Sequence, residues 1–332
     1  IAQLRATKNM TRLAKYSQEL YGELEAETGV ATGFKRCGSI TVALTDERKE
    51  EIFRQASMAR AFGVEVEEIS PDEVKRRYEH LNIDGVTGGV YLPLDGQGDP
   101  ANIALAMAKG ARQRGALVKE RVKVTGIART DRRVTGVDWC SDDGKAQGHI
   151  ACDMIVNCAG MWGHEVGRMA GVNVPLHACE HFYIVSEPIA GLSQMPVLRV
   201  PDECAYYKED AGKMMLGAFE PVAKPWGMDG IPEDFCFDEL PEDFDHLAPY
   251  LESAIHRVPM MEQIGLQVFF NGPESFTPDD RYHLGEAPEC QNYFVAAGFN
   301  SVGIQSAGGA GKMLAEWIHK GHAPQDLWDV DI

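Results

Sequence analysis

The amino-acid sequence predicts a mixed α/β fold in which two domains are interleaved along the chain. Helix–strand units occur at both ends, and a stretch rich in antiparallel strands lies between them, an order that does not suit two sequential domains. We expect one α/β domain to be formed by residues 1–30, 95–175 and 288–332. The second domain, built on an antiparallel sheet, is expected from residues 31–94 and 176–287.

Hydrophobic periodicity locates the elements of the first half of the chain. Helical spacing of apolar residues predicts helices over 1–28, 46–62 and after residue 99, which Gly29, Gly63 and Gly115 close. Ser70 followed by Pro71 is typical of a further helix start. Alternation of apolar and polar residues predicts strands over 34–44, 64–69 and 85–94.

The second half contains more strands. The pattern predicts them over 122–127, 134–139, 149–157, 180–186, 205–207, 213–219, 264–270 and 293–297. Residues 154–156 are all apolar, which is typical of a buried parallel strand. One helix is expected near 243–253, within an acidic and proline-rich loop. A turn over 298–303 is followed by a helix over 304–319.

Composition and charge exclude several classes of partner. The chain has 332 residues, 44% apolar and 25% charged, with a net charge of −18, so a globular protein is expected and nucleic acid or an anionic membrane would repel it. No apolar run approaches the roughly 20 residues of a membrane span. The eight cysteines form no CxxC pair. They predict reduced thiols in a cytoplasm-like compartment and no metal site.

Two strand–turn segments are candidates for a ligand site. Residues 294–304 form a strand, a glycine turn and a helix start, which exposes backbone N–H groups at the positive end of a helix dipole. Residues 156–162 end a strand in Ala159-Gly160, with Trp162 two residues later, so a flat ligand can lie against the backbone. Ordinary β–α packing explains both segments equally well when each is taken alone.

Together these segments resemble the glycine oxidase/D-amino-acid oxidase superfamily of FAD enzymes, and most of all its dimethylglycine/sarcosine dehydrogenase branch. The motifs that carry the resemblance occur in order along the whole chain: LRATKNMTRL at 4–13, CGSI at 37–40, DGQGDP at 95–100, AGMW at 159–162, NGPESFTPD at 271–279, GFNSVGI at 298–304 and DLWDVDI at 326–332. The first of the two domains would then be a Rossmann-like FAD-binding domain, and the second would bind the substrate.

The resemblance implies FAD as cofactor and assigns the residues around it. The adenosine half would contact Val122, Ala159, Gly160 and Trp162, and the isoalloxazine ring would lie beside Gly298, Asn300, Ser301, Val302, Gly303 and Ile304. The GxGxxG turn that holds the pyrophosphate in this family does not occur near residue 1. We therefore expect the N-terminal βαβ unit, with the histidine that carries covalent flavin in this branch, to lie upstream. Tetrahydrofolate is expected only if a folate-binding domain follows.

Two residues are expected to be catalytic by the same resemblance. His181 would accept the ammonium proton of the substrate, and Tyr206 would orient its amine or carboxylate. The flavin N5 would then accept a hydride, leaving an iminium ion. Phe182 stands where relatives have glutamine, but alternation points its side chain away from His181. A rival hypothesis is a metal site, because His177, Cys179 and His181 would share one face of a strand.

These residues predict oxidative demethylation of a small N-methylated amino acid resembling dimethylglycine or sarcosine. Arg36, Lys208 and Arg281 are unranked candidates to bind its carboxylate. The electron acceptor is either oxygen or an electron-transfer flavoprotein. The protein is expected in the cytoplasm, or in the mitochondrial matrix of a eukaryote. Three alternatives stay open: a silent regulatory subunit resembling the pyruvate dehydrogenase phosphatase regulator, another amine oxidase of the glycine or D-amino-acid type, and a chain that holds no flavin because half of the dinucleotide site is missing.

Overall fold

The computed structural model describes residues 1–332 and confirms a mixed α/β fold. The helices are α1 (Lys8–Thr28), α2 (Asp46–Ala61), α3 (Pro71–Arg77), α4 (Pro100–Gln113), α5 (Gly163–Met169), α6 (Phe244–Arg257) and α7 (Gly303–Lys320). The strands are β1 (Ser39–Ala43), β2 (Glu67–Ile69), β3 (Gly88–Leu92), β4 (Val122–Thr130), β5 (Arg133–Ser141), β6 (Gln147–Ala151), β7 (Ile155–Asn157), β8 (His177–Ser186), β9 (Val197–Val200), β10 (Ala205–Asp210), β11 (Lys213–Ala218), β12 (Leu266–Phe276), β13 (His283–Glu286) and β14 (Tyr293–Ala297).

One eight-stranded sheet dominates the structure. Its strand order is β12-β8-β11-β10-β9-β1-β3-β2, and every neighbouring pair is antiparallel except β1 with β9. β12 continues beyond the predicted end at residue 270 and includes Pro273, which is tolerated because β12 is an edge strand. The strands of this sheet come from two separate stretches of the chain. This distribution supports the division into two interleaved domains, which stays a prediction.

Two three-stranded sheets complete the fold. β4, β5 and β6 form an antiparallel meander, and β14 pairs antiparallel with β13 and parallel with β7. The prediction of a single strand over 149–157 was wrong, because the chain leaves β6 at Cys152 to join a different sheet at Ile155. The parallel strand is also less buried than expected. β7 is an edge strand, and Val156 keeps 39% of its surface exposed.

Side-chain caps fix the starts of several helices. Thr45, Ser70, Asp99 and Asp243 each accept a hydrogen bond from the backbone N–H three residues later. The predicted helix over 1–28 was wrong at its start. The Thr7 hydroxyl caps α1 in the same way, so the preceding residues are extended and pack against the segment at 95–96.

The two faces of the large sheet have different surroundings. Ile40, Leu198, Tyr207 and Leu216 lie on one face and are fully or almost fully buried in a core shared with α3 and α6. The side chains that alternate with them point to the opposite face, where the candidate site lies. No helix of the protein combines the length and apolar composition needed to cross a lipid bilayer.

Candidate functional site

His181 and Tyr206 lie on the same face of the eight-stranded sheet. Tyr206 pairs with Gly217, Gly217 with Tyr183, and Tyr183 with Phe270, so these residues form one row across β10, β11, β8 and β12. His181 is two residues from Tyr183 on β8 and therefore points to the same side. The structure thus brings the two predicted catalytic residues together, and their catalytic roles stay predictions.

Phe219 connects the two side chains. Its ring centroid lies 5.2 Å from that of His181 and 5.6 Å from that of Tyr206. Phe276 approaches the imidazole edge-on from β12, at 6.3 Å. Only 14% of the His181 side chain is exposed. The imidazole therefore lies in an aromatic surrounding where water is largely excluded.

The Tyr206 phenol is held in its neutral form. Burial raises its pKa to about 12, and the nearby Glu274 and Tyr183 add to the shift. At neutral pH the hydroxyl is therefore a hydrogen-bond donor. Gly217 makes this arrangement possible, because the Tyr206 ring occupies the space that a β-carbon at position 217 would need.

Glu274 and Ser301 join this face to the turn at 298–303. The Glu274 carboxylate lies 4.0 Å from His181 Nε2 and accepts a hydrogen bond from the Ser301 hydroxyl. Asn300 adds a second connection, since its Oδ1 accepts from the Thr277 backbone N–H at 2.7 Å and its Nδ2 donates to the Thr277 hydroxyl at 3.0 Å. The turn is therefore fixed to β12.

The turn at 298–303 opens onto an uncapped helix. Gly298, Asn300 and Ser301 have φ of 70°, 47° and 61°, and α7 begins at Gly303 without a side-chain cap. The first N–H groups of α7 are left for another acceptor. They lie at the positive end of the helix dipole, which suits a group that gains negative charge.

The other predicted turn lies at the same end of the small sheet. β7 and β14 run parallel, and a β-carbon at Gly163 would contact the Ala297 side chain at 3.2 Å. Asn157 holds the turn in place, because its amide donates to Gly163 O at 2.8 Å and accepts from Ala159 N at 3.1 Å. The space above Gly160 is open, and Trp162 keeps 39% of its surface exposed.

Val122 is not brought to these turns by any contact. It begins β4, in a different sheet, and its side chain is exposed. Gly171, just after α5, lies against Arg129 near the other end of β4. The assignment of Val122 stays a prediction.

The rival metal site finds no support in the structure. His177, Cys179 and His181 do alternate along β8, but no three His, Cys, Asp or Glu side chains converge as metal ligands. Burial raises the pKa of the Cys179 thiol, which disfavours the thiolate. All eight cysteines are free.

The three carboxylate-binding candidates have different surroundings. Arg281 is half exposed and pairs with Asp329 at 3.0 Å. Lys208 shares a face with Tyr206 but pairs with Asp210 at 3.3 Å. Arg36 lies beside Phe34, in a depression lined by Glu19, Gly22 and Glu23. None of the three has both the position and the freedom that the role requires.

Several residues of the site were missed by the sequence reasoning. Glu274 stands inside the motif quoted at 271–279 but was given no role. Phe219 ends the strand predicted over 213–219 but was given no role, and Arg199 was not considered, since β9 was not predicted at all. The only available signal for Arg199 was a basic residue between apolar neighbours in the short segment Val197–Val200.

A cavity of about 450 Å³ lies beside this site. It is lined by residues of α5, by His177 and by the segment at 226–231. The turns at 159–162 and 298–303 present the features that a flavin requires. These are open backbone at Gly160, an exposed indole, and unsatisfied N–H groups at the start of α7. The residues present fit one side of an FAD site.

Comparisons with known proteins agree with this geometry. Residues 1–317 match the family described as DAO, FAD dependent oxidoreductase. Mitochondrial sarcosine dehydrogenase of Mus musculus is 39% identical over 325 residues, which cover 96% of this chain and 34% of that protein. The mitochondrial pyruvate dehydrogenase phosphatase regulatory subunit of Mus musculus is 37% identical over 325 residues, covering 97% of this chain and 36% of that protein.

The fold also matches a solved structure. L-proline dehydrogenase from P. horikoshii superposes with a TM-score of 0.87 at 24% identity, covering 100% of this chain and 84% of that one. At this identity the similarity concerns the fold alone. The chain spans about a third of the length of the two relatives above.

Proposed function

The chain belongs to the DAO family of FAD dependent oxidoreductases, and on that premise we propose that it takes part in the oxidative demethylation of a small N-methylated amino acid such as sarcosine or dimethylglycine. The proposal rests on one observation. His181 on the large sheet is connected through Glu274 to Ser301, in the turn that begins the uncapped helix α7. A proton acceptor and a cofactor wall are therefore held in one rigid arrangement.

The predicted flavin-binding residues fall into two groups on the adjacent turns. We propose that Ala159, Gly160 and Trp162 bind the adenosine side, together with Val122. The isoalloxazine ring would lie against Gly298, Asn300, Ser301, Val302, Gly303 and Ile304. When bound, FAD supplies the acceptor for the hydride that leaves the N-methyl carbon.

The role of His181 follows from the chemistry of amines. A protonated amine has no lone pair to stabilise the iminium ion that forms as hydride leaves, so the ammonium proton must be removed first. His181 accepts this proton, and Glu274, 4.0 Å away, stabilises the positive charge that results. Water then adds to the iminium ion, which releases formaldehyde and the demethylated amine.

Tyr206 has a different task. Because burial raises its pKa to about 12, its hydroxyl stays protonated and donates a hydrogen bond to the substrate amine or carboxylate. Phe219 and Phe276 keep water from the imidazole. This exclusion strengthens the electrostatic interactions within the site.

The experiment that tests this function uses the full-length, flavin-loaded protein. Sarcosine or dimethylglycine, added without oxygen, should bleach the flavin absorbance at about 450 nm. His181→Ala should slow the bleaching at least about 100-fold, the range expected for loss of an acid–base group. Unchanged turnover and unchanged substrate affinity in His181→Ala would refute its catalytic role.

A silent regulatory subunit is the second candidate, and the similarity to the phosphatase regulatory subunit favours it. Flavin that binds but is bleached by no N-methylated or unmethylated amino acid would decide for this alternative. Bleaching by glycine or a D-amino acid alone would instead identify another amine oxidase of the family.

The remaining expectations depend on segments outside this chain. Covalent flavin attachment requires a histidine upstream, and transfer of the one-carbon unit to tetrahydrofolate requires a folate-binding domain. Oxygen and an electron-transfer flavoprotein are the proposed electron acceptors. The mitochondrial relatives favour the mitochondrial matrix for a eukaryotic source, and the cytoplasm is proposed otherwise.

A further inference from the structure

Arg199 is an unpaired cation beside the proposed active site. It lies on β9 directly opposite Tyr206 of β10. Its guanidinium carbon lies 5.9 Å from the centroid of Phe219, the ring that also contacts His181 and Tyr206. The guanidinium therefore shares one face of the sheet with both predicted catalytic side chains.

No residue of the protein forms an ion pair with this guanidinium. Arg199 makes no hydrogen bond through its side chain, and no carboxylate oxygen lies within 4.0 Å of its nitrogens. Its neighbour Arg48 differs, since it pairs with Asp202 at 3.0 Å. Arg199 is also exposed to solvent, so a small molecule can reach it.

A second arginine lies in the same neighbourhood. Burial lowers the pKa of Arg5, and the positive charge of Arg199 adds to the shift. The charge of Asp280 acts on both arginines, but Asp280 forms an ion pair with neither. Arg5 therefore adds to the positive potential at Arg199.

We propose that Arg199 binds the carboxylate of the substrate. The inference rests on the proposed function and adds the residue that recognises the acid group. Both groups lie close to the Phe219 ring. The guanidinium carbon of Arg199 is 5.9 Å from the ring centroid, and the centroid of the His181 imidazole is 5.2 Å from it. The guanidinium carbon and the imidazole centroid are therefore no more than about 11 Å apart, and a substrate bound between them would direct its two polar ends to different side chains.

The geometry of arginine suits this task. Its planar guanidinium donates two parallel hydrogen bonds to one carboxylate. The Phe219 ring beside it provides a cation–π contact, which limits the orientations of the guanidinium. The carboxylate would thus be held on the β9 side of Tyr206, and the amine end would point towards His181.

The test measures binding of a redox-inert pair of ligands to the full-length, flavin-loaded protein by calorimetry. Methoxyacetate replaces the amine of sarcosine by an ether oxygen, and methoxyacetamide is its neutral counterpart. The wild type should bind the acid at least about tenfold more tightly than the amide. Arg199→Gln should weaken acid binding about 10- to 100-fold, the effect of losing a hydrogen bond to a charged group, and leave amide binding unchanged.

Two further variants serve as controls. Arg54→Gln removes a positive charge from an exposed pair with Glu50 and should leave the acid-to-amide ratio unchanged. Arg199→Lys keeps the charge but loses the planar fork, so its acid affinity should lie between those of the wild type and Arg199→Gln. If Arg199→Gln does not fold, the wild-type ratio and the lysine variant carry the test.

The outcomes separate this inference from the proposed function. An acid-to-amide ratio near one in the wild type, or an equal ratio in the wild type and the folded arginine variants, overturns the anion site even if sarcosine bleaches the flavin. Preference for the acid that is lost in Arg199→Gln supports the site even if no N-methylated amine is oxidised. Failure to oxidise any N-methylated amine refutes only the proposed demethylation.

Discussion

The ring of Tyr206 covers Gly217 on the neighbouring strand and leaves no room for a β-carbon there. We expect Gly217→Ala to displace the ring, because the end of a side chain moves more easily than a strand. kcat/KM with an N-methylated amino acid should fall about tenfold, while the free energy of unfolding falls by about 1 kcal/mol. Steady-state kinetics and urea unfolding measure the two effects.

Two controls test this prediction: Gly217→Ala in a protein that lacks the Tyr206 ring, and a glycine-to-alanine change at another position. In a Tyr206→Ala protein, Gly217→Ala should have no further effect on stability, since the clash is gone. Gly311→Ala places a β-carbon in open space within α7 and should leave stability equal or higher. Additive losses in the double variant would contradict the proposed contact.

The raised pKa of Tyr206 predicts a loss of stability in alkali. The folded-state pKa of about 12 lies above the usual 10, so the folded protein keeps a proton that the unfolded chain releases. This contribution is fully present below pH 10 and is lost as pH rises towards 12, by on the order of 1–3 kcal/mol. The free energy of unfolding of the wild type, measured in urea, should therefore fall relative to that of Tyr206→Phe between pH 10 and 12, so that the two curves converge or cross. Parallel curves from pH 8 to 12 would argue against the assigned shift.

Arg257 is expected to be essential for stability. Its guanidinium contacts both Glu203 oxygens, at 2.6–3.1 Å, and donates to Asn82 O and Asp84 O. Only 3% of its side chain is exposed. Arg257→Ala leaves the partly buried Glu203 carboxylate without its partner and should lower the free energy of unfolding by about 2–4 kcal/mol. The exposed Arg54→Gln should change it by less than about 1 kcal/mol.

Asn300 is expected to control cofactor binding. Its amide makes two hydrogen bonds to Thr277, and its φ of 47° lies in the left-handed region, which asparagine tolerates better than alanine. Asn300→Ala should weaken FAD binding about tenfold or more, measured by flavin release during dialysis in a background where the upstream flavin-linking histidine is replaced. Asn300→Gly relieves the backbone strain but not the lost hydrogen bonds, so it separates the two causes. Full flavin retention in both variants would mean that the turn does not depend on Thr277.

The sequence predicted those elements whose signals are local. α2, α3 and α4 have capping residues and glycine or proline at their boundaries, and β14 with its glycine turn is a continuous pattern. The start of α1 was misplaced because the helical pattern of apolar residues continues upstream of Thr7, and only the cap hydrogen bond to Met10 shows where the helix begins. The strands β9 and β13 are four residues long, too short for periodicity to reveal.

The site was predictable only where a family resemblance supplied the residues. His181 and Tyr206 were named in this way, and the side chain of Phe182 points away from His181 as alternation predicts. Glu274 could not be placed beside His181, because their proximity depends on the pairing of β12 with β8. Arg199 gains its significance from lacking a partner, which is a property of the folded protein.

The parallel pairing of β1 with β9 joins two parts of the chain that are synthesised far apart in time. Ser39 leaves the ribosome long before its partner Val197, so the nascent chain holds β1, β2 and β3 with one unsatisfied edge. Ile40 and Val42 have only the α3 side of their core until α6 has also been made. We expect slow completion of the fold, with contacts of high sequence separation limiting the rate. Newly made chains therefore expose the free edge of β1 until β9 has been made.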